Sequence, residues 1–111
     1  MQLKLLVLRC KDIENTKIFY ENLGLSFKKE KHGDGPKHYS TKIGTTTIEL
    51  YPSKDNYKTD NTRLGFFLNV SDIHSFLEQF SIPIISEYNF NGKNKVIVQD
   101  PDNRKVELET N

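Results

Sequence analysis

The sequence predicts an α+β fold of two βαβββ modules, their strands forming a curved mixed sheet, a cup, with the helices outside. Three observations carry this reading. Short strings recur: Asp12-Ile13 is answered by Asp72-Ile73, and Ile48-Glu49-Leu50 by Val106-Glu107-Leu108. Each aspartate opens a run whose apolar residues fall at helical spacing. The strands around each run alternate in the same phase in both halves.

Taken in order, residues 2–10 are apolar over a strand-like length. Asp12 offers an N-cap. Ile13, Thr16, Phe19, Tyr20 and Leu23 recur as one helix face, and Gly24 stands where a helix-ending glycine belongs. Residues 25–31 alternate weakly, His32-Gly33-Asp34-Gly35-Pro36 is a turn, and 37–43 and 45–51 are strands separated by a tight turn at Gly44. The polar stretch 53–62 reads as a linker joining module 1–52 to module 63–111, so residues 1–111 make one domain.

The order then begins again. Residues 63–70 are a strand, and Ser71 or Asp72 caps a helix carrying Ile73, Phe76, Leu77 and Phe80, ended by Pro83. Residues 84–90, 95–99 and 104–109 are three further strands. Asn91-Gly92 is the first hairpin turn, and Asp100-Pro101-Asp102-Asn103 fits a type I turn whose last residue tolerates the left-handed conformation. The capping aspartates lie 60 residues apart and the two glutamates 58, a slip that shorter turns in the second half would produce.

One strand phase, Leu6, Leu8, Ile48, Leu50, Phe66, Leu68, Val106 and Leu108, is expected under the helices as core. The other holds Leu5, Val7, Arg9, Glu49 and Tyr51, then Arg63, Gly65, Phe67, Lys105 and Glu107. That face is mixed, as the lining of a ligand cup would be.

A net charge of +1 gives no electrostatic case for nucleic acid or an acidic membrane surface. No apolar run reaches spanning length and the first residues do not resemble a signal peptide. Cys10 is the only cysteine, so no internal disulfide is possible and a cytoplasmic location is expected.

Leu8-Arg9-Cys10-Lys11-Asp12-Ile13, Phe19-Tyr20-Glu21-Asn22-Leu23-Gly24 and Asp100-Pro101-Asp102-Asn103-Arg104-Lys105-Val106-Glu107-Leu108 together resemble the vicinal oxygen chelate superfamily. That superfamily includes glyoxalase I, extradiol dioxygenases and the fosfomycin- and bleomycin-resistance proteins. The resemblance covers nearly the whole chain. It implies paired βαβββ modules, a small-molecule partner and a homodimer; the charge and hydropathy leave no nucleic-acid or membrane partner expected. In metal-dependent relatives a histidine on a first strand and a glutamate on a last strand hold a divalent ion. Glu49 and Glu107 match the glutamate positions, whereas the histidine positions fall on Leu5 and Gly65, which cannot bind metal.

Two carboxylates without imidazoles make a poor transition-metal site, so no cofactor is expected. Mg, Mn, Zn, Ni or Fe at Glu49 and Glu107 is the alternative. The expected ligand-binding residues are Arg9, Glu49, Tyr51, Arg63, Phe67 and Glu107. The arginines would clamp an anionic group or pair with the glutamates, and the aromatic rings, with Tyr39, would stack on a planar ligand. His32 falls in a turn and His74 on the polar side of a helix. His38 is the one histidine on a strand and thus the one able to enter the cup. The first functional expectation is a small-molecule binding protein that sequesters its ligand without a metal. The second is a metal-dependent lyase, isomerase or dioxygenase using Glu49 and Glu107.

Overall fold

Asp12 and Asp72 set where the two helices begin. In the computed structural model, which describes residues 1–54 and 60–110, both have extended backbone. The Asp12 carboxylate accepts the backbone N–H groups of Glu14 and Asn15, and that of Asp72 accepts Ser75 N–H. These bonds satisfy donors that a helix start leaves without partners. Asp72, not Ser71, is the second cap.

The elements are β1 (Leu5–Cys10), α1 (Ile13–Asn22), β2 (Lys28–Glu30), β3 (His38–Ile43), β4 (Thr46–Pro52), β5 (Leu64–Phe67), α2 (Ile73–Gln79), β6 (Ser86–Phe90), β7 (Lys93–Gln99) and β8 (Lys105–Glu109). The order is βαβββ twice, as expected. The strands form two mixed four-stranded sheets, β1-β4-β3-β2 and β5-β8-β7-β6, rather than one. In each, the first and last strands pair in parallel and the rest antiparallel. The chain divides into two compact units, Met1–Lys58 and Thr59–Asn111. Residues 55–59 of the expected linker lie outside the described residues.

Several strands are shorter than their apolar runs. β1 starts at Leu5, and β5 stops at Phe67, after which only Leu68 N–H still reaches the ladder, at Glu109 O. β7 is longer than expected and starts at Lys93. Asn91 and Gly92 both take left-handed φ, which closes a two-residue hairpin directly on Phe90 and Lys93. Asn103 likewise has φ 66° and donates its N–H to Asp100 O.

Val7 pairs with Glu49 and Gly65 with Glu107, the same interval in both modules. The two-residue slip is therefore not in the hairpin turns. It lies between the first strand and the helix: Asp12 follows Val7 by five residues, and Asp72 follows Gly65 by seven.

In the first unit Leu8, Ile48 and Leu50 are buried with Phe19 and Tyr20 of α1, which packs over β3 and β4. Leu50 is fully buried, a contribution of roughly 1.5–3 kcal/mol. In the second unit Val106, Leu108 and Val96 are buried, as are Ile73 and Leu77 of α2. Leu6, Phe66 and Leu68 are only half-buried. Tyr39 shares the Leu50 face, not the Glu49 face. It is buried and donates its hydroxyl hydrogen to Glu14 Oε1 of α1 at 2.7 Å, so it is a core residue instead of a ring for a ligand.

Candidate functional site

Each sheet has one face away from its helix, and the candidate residues sit there in rows. In the first unit, sheet register places Arg9 beside Tyr51 and Glu30 beside His38. His38, one step beyond the Tyr39–Leu50 pair, lies against Tyr51. The result is a row across all four strands: Arg9, Tyr51, His38, Glu30. The Arg9 guanidinium carbon is 5.1 Å from the centre of the Tyr51 ring, and the Tyr51 and His38 rings stack at 4.2 Å. The adjoining row is Val7, Glu49, Ser40, Lys28.

His38 is almost completely buried. Its Nδ1 lies 3.2 Å from Pro36 O, and since a carbonyl only accepts, Nδ1 carries the proton there. Nε2 is left facing Tyr51 Oη at 3.4 Å, Glu49 Oε2 at 3.6 Å and Glu30 Oε1 at 3.8 Å.

In the second unit the equivalent rows are Phe67, Glu109, Lys95, Tyr88 and Gly65, Glu107, Ile97, Ser86. Glu109 pairs with Lys95 at 3.0 Å, and this bond raises the Lys95 pKa above its ordinary value. Glu107 accepts hydrogen bonds from the Tyr88 hydroxyl and from Arg63 at 3.4 Å. The bond to Glu107 also holds the Tyr88 hydroxyl protonated beyond the ordinary tyrosine range. Arg63 and Lys105 line a cleft of about 260 Å³ with Asp60, Asn103 and Arg104. Phe67 is 54% exposed.

The first-strand positions do not fit a metal. Leu5 is an exposed aliphatic residue paired with Thr47, and the residue beside Glu49 is Val7. A Cβ added at Gly65 would lie 3.9 Å from Glu107 Oε2, so that position faces the carboxylate and carries no donor. Neither Glu49 nor Glu107 has an imidazole on its first-strand neighbour.

Two groups escape the sequence reading. Arg104 is buried within an aspartate cluster, bonding Asp60 at 3.1 Å, Asp100 at 3.2 Å and Asp102 at 3.4 Å. Burial opposes its charge, and the carboxylates outweigh burial to raise its pKa. The other is the pairing of Glu30 with His38. A hairpin symmetric about Asp34 predicts that pairing, which is the signal the sequence offered. His74, expected at the surface, is exposed and pairs with Glu87 at 2.9 Å.

A family model described as the Glyoxalase/Bleomycin resistance protein/Dioxygenase superfamily matches residues 2–108. No curated protein matches the chain. Among solved structures, a virulence protein from Salmonella typhimurium is 23% identical with a TM-score of 0.74, covering 99% of this chain and 96% of that one. A lactoylglutathione lyase from Agrobacterium tumefaciens is 16% identical with a TM-score of 0.72, covering 98% and 92%. A mutant fosfomycin resistance protein from Listeria monocytogenes, complexed with Mn(II) and 1S,2S-dihydroxypropylphosphonic acid, is 16% identical with a TM-score of 0.75, covering 97% and 90%. Identities this low establish likeness of fold. Among the described residues no helix is long and apolar enough to cross a membrane.

Proposed function

The chain belongs to the glyoxalase/bleomycin resistance protein/dioxygenase superfamily, and on that premise we propose that it binds a small molecule on the helix-free sheet faces and does not use a metal at the superfamily's usual positions. One observation supports this above the others. Glu107, the last-strand carboxylate, is engaged by Arg63 and Tyr88 and has Gly65 as its first-strand neighbour. Both protein donors converge on its Oε1, and no second metal ligand stands beside it on the first strand. Arg9 and Tyr51 on the first sheet supply cationic and aromatic surface suited to an anionic or planar molecule, and Arg63 and Phe67 separately do so in the second unit.

A second reading is a metal-dependent lyase, isomerase or dioxygenase. It is favoured by the presence of both Glu49 and Glu107 and by the likeness to a lyase and to a manganese-bound resistance protein. A panel of phosphonates, glutathione conjugates and planar aromatic compounds, screened by thermal shift and followed by mass spectrometry, separates the two. Saturable stabilisation with the compound recovered unchanged supports sequestration. Metal-dependent conversion of any compound overturns it in favour of the second reading.

We also propose a cytoplasmic homodimer. β6 is an edge strand with every residue exposed, Tyr88 and Phe90 among them, and unpaired edges of this kind invite a second copy. Light scattering giving a mass near 12.9 kDa, that of one chain, would exclude the dimer.

A further inference from the structure

We propose that the first module holds a late first-row divalent cation, of the zinc, nickel or cobalt type, between Glu30, His32 and His38. None of the three occupies a first- or last-strand position, so the ligand set differs from the one the superfamily uses, although Glu49 of the last strand adjoins it, 3.6 Å from His38 Nε2. The donor atoms of these three residues lie within 4.8 Å of one another, and among the described residues theirs is the group of such side chains close enough to share an ion.

The local fold builds the cluster. β2 and β3 pair antiparallel with Glu30 opposite His38. The turn between them is closed by Gly35 N–H to His32 O at 3.0 Å, and Gly33 takes φ 58°, a conformation that favours glycine. That geometry returns the His32 ring to within 5.2 Å of the His38 ring.

His38 is prepared as a ligand. Its Nδ1–H is held by Pro36 O, the usual way a ligating imidazole is oriented, so the Nε2 lone pair faces the cluster. The ring cannot swing away, because it is buried and stacked on Tyr51. Two carboxylates, Glu30 and Glu49, converge on this one nitrogen at 3.8 and 3.6 Å. These spacings are too long for hydrogen bonds. They are close to the edge of a tetrahedron, about 3.4 Å, whose centre sits roughly 2.1 Å from each donor. Two carboxylates facing one imidazole nitrogen create a local excess of negative charge that a divalent ion would neutralise. Two imidazoles with one carboxylate suit zinc, nickel, cobalt or ferrous iron, and disfavour magnesium and calcium, which prefer oxygen. His32 is exposed in its turn, so it is the ligand that moves to complete the shell, and the ion keeps an open side toward solvent.

The test uses the untagged full chain, stripped by chelator and titrated with cobalt(II), read by its visible absorption, and with zinc(II), read by calorimetry. No small-molecule ligand is present, so the outcome is independent of the proposed binding function. The parent is expected to bind one equivalent with tetrahedral or five-coordinate cobalt bands. His32→Ala and Glu30→Gln should each weaken binding more than about tenfold, and His38→Ala should abolish it. Because His38→Ala removes a buried ring and could unfold the unit, His32→Ala in the exposed turn is the decisive variant. His74→Ala, which alters a surface histidine of the other unit, should leave binding unchanged. Parent binding no tighter than that of His32→Ala, or binding lost in His74→Ala, overturns the proposal.

Discussion

The imidazole of His38 lies flat on the ring of Tyr51, with centroids 4.2 Å apart and planes 9° apart. The stack joins β3 to β4 on the face opposite α1, and Arg9 approaches the same Tyr51 ring. Tyr51→Phe keeps both contacts and loses only the hydroxyl 3.4 Å from Nε2, so a stability change within about 0.5–1 kcal/mol is expected. Tyr51→Ala removes the ring and should cost about 1–3 kcal/mol. Urea denaturation compares the two, and equal midpoints would show that the stack contributes nothing.

Arg104 is the second anchor. Its guanidinium is the cation shared by Asp60, Asp100 and Asp102, the last two themselves buried. Arg104→Ala strands buried carboxylates and should destabilise the chain by about 3–5 kcal/mol. Arg104→Lys keeps the charge and loses the planar fork, so it should fall between the parent and alanine. A lysine variant as unstable as alanine would mean that fork geometry, not charge, is what the cluster needs.

These two groups show where the sequence was legible. Asp12 and Asp72, the i, i+3, i+4 spacing behind them and the turn at Asp100 announce themselves, because capping and turn chemistry act over a few residues. The alternation that put Glu49 and Glu107 on one phase is equally local. Tyr39 is different: its phase places it with Leu50, but only the register across β3 and β4 reveals that phase. His32 reads as a plain turn residue until Gly33 brings it back against His38. The Asp60 contact to Arg104 spans 44 residues and leaves no periodic trace.

Acid should destabilise the fold. Burial pushes Asp60 upward, yet the Thr62 amide and Arg104 outweigh it and hold its carboxyl below the ordinary range. Hydrogen bonds from the Ser75 backbone and hydroxyl lower Asp72, and those from His74 and Asn94 lower Glu87. A group depressed in the folded state stabilises above its unfolded pKa, and that stability is lost as pH falls through the folded value. Melting temperature should therefore hold steady above about pH 5 and fall below about pH 4. Asp72→Asn, which keeps the cap, should lessen the fall; an unchanged slope would remove Asp72 from the account.

At the alkaline end the sign reverses. The hydrogen bond to Glu14 raises the Tyr39 pKa, and that to Glu107 raises Tyr88. Their stabilisation is complete below the unfolded pKa, about 10, and is lost as pH rises through the raised folded values. Ultraviolet titration should show Tyr39 and Tyr88 ionising later than an ordinary tyrosine. Tyr88→Phe should remove one late step. Loss of an early step instead would contradict the Glu107 bond.

The last expectation concerns the first-strand neighbours of the two glutamates. Counting back from Asp12 points to Leu5, but the sheet register puts Val7 beside Glu49 and Leu5 beside Thr47. Lateral neighbours in a sheet lie about 5 Å apart at Cβ, and diagonal ones about 7–8 Å. An opposite charge raises a histidine pKa steeply with closeness. The imidazole introduced by Val7→His should therefore titrate higher, by proton NMR, than the one introduced by Leu5→His. Gly65→His should also fold, since the nearest atoms to a new Cβ are 3.9 Å away and this glycine does not need a left-handed backbone. Its imidazole should be raised less than that of Val7→His, because Arg63 and Tyr88 already engage Glu107. Adding Tyr88→Phe to Gly65→His should then raise it further. If Leu5→His titrates above Val7→His, the side chains of β1 and β4 are not aligned as the register states.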